Sequence, residues 1–105
     1  MTDRELLEAA AKACGFKPQG MEDGKLYLYG IQDGWNPLED DGDAFRLAVR
    51  LRIDVAFDPS GYAVGAQVSH MRDCTWVERN DGEAATRRAI VRAAASSLAT
   101  PQNVP

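Results

Sequence analysis

The chain has 105 residues, 45% of them hydrophobic and 27% charged, which is the size and composition of one folded domain and excludes general disorder. Its 12 Lys+Arg against 16 Asp+Glu give a net charge of −4, the wrong sign for gripping nucleic-acid phosphates or an anionic membrane surface. No apolar run approaches the roughly 20 residues of a membrane-spanning helix, and the opening Met-Thr-Asp-Arg-Glu has no basic stretch ahead of an apolar one, which predicts no secretory leader and a cytoplasmic location.

Two cysteines, Cys14 and Cys74, make no disulfide framework and read as reduced, partly buried thiols. Sixteen alanines inflate the hydrophobic fraction, so the core draws on few large residues. A domain this small gains from forming a homodimer.

The first helix is predicted from about Thr2 to Cys14. Thr2 and Glu5 have capping-box spacing, Leu6, Leu7, Ala10, Ala13 and Cys14 fall on one broad stripe, and Gly15 supplies the stop. Phe16 to Gly24 reads as loop. Lys25 to Ile31 reads as a strand with Leu26 and Leu28 on one face and Tyr27, Tyr29 and Ile31 on the other. Two apolar faces predict a strand lying between two covering layers. Gln32 to Asp41 is a turn-rich connection holding Trp35-Asn36-Pro37, with Asn36 driven to an extended conformation by the proline after it.

The second helix is expected from Asp40 or Asp41 to about Arg52. Ala44, Phe45, Leu47, Ala48, Val49 and Leu51 occupy more than one stripe, which predicts a well-buried helix. Ile53, Val55 and Phe57 alternate with polar or small residues, and Asp58-Pro59-Ser60-Gly61 is a tight-turn signal. With Tyr62, Val64, Ala66 and Val68 they predict an antiparallel hairpin at 53–68. Cys74 to Arg79 adds a strand with Trp76 and Val77 on opposite faces. The last helix is expected from about Asp81 to Ala99, with Asn80 and Glu83 at capping-box spacing. Residues 1–99 thus form one α+β domain, a layered α/β/α sandwich of order α-β-α-β-β-β-α, followed by a frayed tail at 100–105.

Trp35-Asn36-Pro37 has two readings. The tryptophan is an exposed anchor for a protein partner with Glu39, Asp40 and Asp41 as charged rim, or it folds back and plugs the sheet edge. The second is put first: a clasp before a binding feature. The acidic cluster Glu39, Asp40, Asp41 and Asp43 fails the calcium-loop spacing, because Gly42 in sixth place puts Pro37 first. Carboxylates at a helix start are otherwise explained by capping and the helix dipole. His70 and Cys74 offer two ligands where zinc needs about four, so no metal and no cofactor is expected. A hydrolase built on His70 with Cys74 or Asp73 lacks a nucleophile motif. Gly-rich phosphate loops are absent. Arg87, Arg88 and Arg92 on the last helix, with Arg46, Arg50 and Arg52 on the middle one, carry the alternative of a nucleic-acid-associated protein. The predicted order from Asp43 to Ala99, helix, three strands, helix, resembles a double-stranded-RNA-binding domain in topology only, and Asn80-Asp81-Gly82-Glu83 stands where that family places lysines.

Two stretches together carry a resemblance. One runs from Trp35-Asn36-Pro37-Leu38-Glu39-Asp40-Asp41-Gly42 through Asp43-Ala44-Phe45-Arg46-Leu47-Ala48-Val49, the other from Ala84 to Ala95. They resemble small phage and prophage proteins carrying the phage ABA sandwich domain. The resemblance implies helices against both faces of a sheet and a phage or prophage origin. It transfers no catalytic residue. With no catalytic constellation in the residues, the expectation is a non-enzymatic accessory protein that binds a host or phage protein.

Overall fold

Helix α1 (Asp3–Ala13) begins where the sequence offers its capping box: the Thr2 hydroxyl accepts from the Glu5 amide at 3.1 Å, and the Thr2 amide donates to the Glu5 carboxylate at 2.8 Å. Hydrogen bonding from Thr2, its backbone amide first, holds the Glu5 carboxyl below its usual range. The computed structural model describes residues 1–69, 75–78 and 82–99. His70, Asp73, Cys74, the expected cap at Asn80 and the tail 100–105 lie outside the described residues.

Residues 16–24 are not all loop. Strand β1 (Pro18–Glu22) pairs antiparallel with β2 (Lys25–Leu28) through the two-residue turn Asp23-Gly24, both at positive φ (53° and 77°). Asp-Gly is the pair such a turn demands. The missed strand contains Pro18 and Gly20 and lacks apolar alternation, so it forms by pairing and not by its own pattern. β2 ends at Leu28, short of Ile31. Leu26 and Leu28 are buried, whereas Tyr29 and Ile31 are exposed. Tyr27, on the other face of β2, is half-buried, so that face is covered only in part, against the expectation of two covered faces; β2 belongs to a separate two-stranded sheet packed on α1.

Helix α2 (Asp41–Leu51) is capped by Asp40, whose carboxylate accepts from the Asp43 amide at 2.8 Å. It stops at Arg52, which takes the left-handed conformation. The second sheet has the order β3 (Ile53–Phe57), β4 (Ala63–Val68), β5 (Thr75–Glu78), all antiparallel. Ile53 pairs with Val68, Val55 with Ala66 and Phe57 with Val64, which is the expected hairpin. The Gly61 amide closes the Asp58–Gly61 turn on the Asp58 carbonyl at 2.8 Å.

Helix α3 (Gly82–Ala99) is the centre of the molecule. It packs on α1, on α2 and on all three strands of the larger sheet. Ala89, Val91 and Ala94 are fully buried there. The result is an α+β sandwich of three helices and two antiparallel sheets, of order α-β-β-α-β-β-β-α. The opposite face of the larger sheet presents Asp54 and Ala56, both exposed, and Trp76, half exposed. The Trp76 indole lies over Gly65, where an added Cβ would meet the ring at 2.8 Å. No described helix is long and apolar enough to cross a membrane.

Candidate docking surface

The Trp35-Asn36-Pro37 segment is held inside the protein. Trp35 is 9% exposed, Asn36 8%, and Pro37 is fully buried. The Trp35 amide donates to the Leu26 carbonyl at 2.8 Å, and the Leu26 amide donates back at 2.9 Å, so residue 35 sits as a one-residue strand beside β2. Its ring meets Phe16 edge-on, centroids 6.3 Å apart, and the Arg50 guanidinium lies over the Phe16 ring, 4.6 Å from its centroid. Arg50 also donates to the Cys14 carbonyl at 3.1 Å. Burial pushes the Cys14 thiol up, against the opposing pull of Arg50. A buried, protonated thiol is a poor nucleophile.

Asn36 satisfies every polar group that burial would otherwise orphan. Its side-chain amide donates to the Gly24 carbonyl at 2.6 Å and its side-chain oxygen accepts from the Leu38 amide at 3.0 Å. Its backbone amide donates to Asp43 at 2.9 Å, and its carbonyl accepts from the Glu39 and Asp40 amides. The β1–β2 turn is thereby tied to the start of α2. The acidic cluster is spent on the same joint: Asp40 caps α2, Asp43 bonds Asn36 and Arg46 (2.8 Å), and Asp41 bonds Arg87 (2.6 Å). Glu39 is exposed at the edge of this joint. Among the described residues no group of His, Cys, Asp and Glu is gathered as a metal would require. With Trp35, Asn36 and Pro37 buried, the anchor-and-rim surface anticipated from the sequence presents only its carboxylates.

The three arginines of α3 do not form one patch. Arg87 donates from Nε to the Leu38 carbonyl at 2.9 Å as well as to Asp41, which pins α3 to the approach to α2. Arg88 reaches Asp3 at the start of α1, 3.1 Å away. Arg92 is exposed. Two of the three expected phosphate ligands are thus engaged in joining helices.

The exposed apolar surface lies elsewhere, on α2 and β3. Of the apolar residues of α2, Ala44 and Leu47 are buried, while Phe45 and Val49 are 69% and 62% exposed. The expectation of a well-buried helix fails because one of its two apolar stripes faces the core and the other faces outward. Phe57, at the end of β3, is 68% exposed. Phe45, Val49 and Phe57, with Ala48, Val55 and Ile90, line a groove of about 1060 Å³ between α2, β3 and α3. Asp41, Glu83 and Arg87 stand along it. A second depression of about 780 Å³, next to Phe16 and Trp35, shares Phe45 and Val49 as its wall. Two separate apolar stripes on one short helix were the sequence signal for this surface. No family model, curated protein or solved structure matches the chain.

Proposed function

We propose that this chain is a non-enzymatic protein-interaction module, a small accessory protein of phage or prophage origin, that docks a polypeptide in the groove between α2, β3 and α3. The observation that carries this reading is the exposure of Phe45, Val49 and Phe57 around one groove. Apolar side chains gathered in one concave patch gain about 25 cal/mol for each Å² that a partner removes from water. Such a patch marks an interaction site more often than scattered surface apolar residues do. The phage origin rests on the resemblance of the Trp35–Val49 and Ala84–Ala95 stretches.

Selection of peptides from a random library on the immobilised protein tests the reading. The expected ligands are extended, apolar segments whose binding falls at least tenfold with Phe45→Glu. Ligands that bind Phe45→Glu as well as the unaltered protein, or no ligand at all, count against the groove.

A further inference from the structure

Resting on that docking reading, we infer that a second copy of this chain occupies the groove edge, by pairing β3 with its own symmetry mate across a two-fold axis. β3 is an edge strand with β4 on one side. The Ser69 amide donates to the Arg52 carbonyl and the Asp58 amide to the Ala63 carbonyl, 2.9 Å each. These bonds fix the phase of the ladder: the Arg52 carbonyl, both backbone groups of Asp54 and Ala56, and the Asp58 amide turn toward β4. Ile53, Val55 and Phe57 therefore turn theirs to the open edge, where among the described residues they meet no partner. Three donors and three acceptors at alternate positions are what an added strand requires.

Self-complementarity selects the occupant. With Val55 facing Val55 of the second copy, Ile53 faces Phe57 and Phe57 faces Ile53, so every open backbone group meets its counterpart. On the other sheet face Asp54 then stands opposite Ala56. Slipping by two residues one way sets Asp54 against Asp54; slipping the other way sets Asp54 against Asp58. Like charges directly opposite are destabilising, so this one register among the three avoids carboxylate pairs. The apolar side chains of the added strand project into the helix layer, where Phe45 and Val49 line the groove. Two aromatic rings two-thirds exposed supply roughly 200–300 Å² per copy. The paired strand and groove walls carry that toward the roughly 800 Å² per partner of a standard interface.

Sedimentation equilibrium of the unaltered chain, with Val55→Pro beside it, tests the dimer. The unaltered chain is expected at twice 11.5 kDa, and Val55→Pro at the monomer mass. A proline at 55 removes an outward N–H and leaves the bonds to β4 in place. A dimer that survives Val55→Pro overturns the strand pairing. Amide exchange on the unaltered chain serves where the variant unfolds: protection at Ile53, Val55 and Phe57 should rise with protein concentration, and concentration-independent exchange there overturns the proposal. A chain that stays monomeric yet binds selected peptides in a Phe45-dependent manner refutes the second copy alone and leaves the docking reading standing.

Discussion

Trp35 and Asn36 show how a polar-looking segment becomes a structural joint. The indole is buried between β2 and Phe16, and the asparagine beside it has a partner for each polar atom. Removing the ring leaves a cavity that the neighbouring hairpin cannot close, because residue 35 is bonded to Leu26 in both directions. Trp35→Ala is accordingly expected to lower stability by about 3–5 kcal/mol. The shift of the urea midpoint measures it, and an unchanged midpoint would show that the ring carries no packing load. The three aspartates of the cluster after it each have a local task, from capping α2 to holding Arg87. A dense acidic run at a helix start is thus consumed by capping and ion pairs before any ligand is invoked.

The elements differ in how firmly each is held. α1 has its capping box and a single buried stripe, and it sits as its pattern requires. α2 has two apolar stripes and buries one. That asymmetry predicts opposite outcomes at neighbouring positions. Leu47→Ala should cost about 2–5 kcal/mol, since it empties a buried site. In the monomer, at concentrations below self-association, Phe45→Lys should leave stability within about 0.5 kcal/mol, as surface changes usually do. Parallel thermal melts of the two variants check the contrast, and equal losses would mean that Phe45 packs against the protein itself. The β1–β2 hairpin depends on its turn instead of on its strands. Asp23-Gly24 was the readable signal there, hidden because the residues before it carry no alternation.

The whole molecule is organised around α3, whose buried alanines let other elements approach closely. Ala10 and Ala11 on α1 are likewise fully buried, as are Ala89 and Ala94 on α3. Packing this tight leaves no room for a larger side chain. Ala94→Leu should therefore destabilise by about 1–3 kcal/mol through displaced neighbours, read as a lower melting temperature. An unchanged or higher melting temperature would reveal an unfilled cavity at that point. The arginines of α3 serve the same assembly: Arg87 joins it to the approach to α2, and Arg88 joins it to α1.

Local chemistry alone determined the three helices, the hairpin at 53–68 and its turn. Caps, periodicity and a Pro-Ser-Gly turn act within a few residues, so they are readable without a partner. Which apolar stripe of α2 faces inward was decided only by the tertiary structure, since both stripes satisfy the helical period and the choice depends on where α3 and β3 lie. The same holds for β2, whose second face is only half covered once it pairs with β1 in a separate sheet. The edge of β3, open among the described residues, was equally hidden, because a sequence states that a strand forms but not which strands flank it. The groove at that edge exists because burial is settled by how many layers a fold supplies, and here the apolar stripes outnumber the layers that cover them.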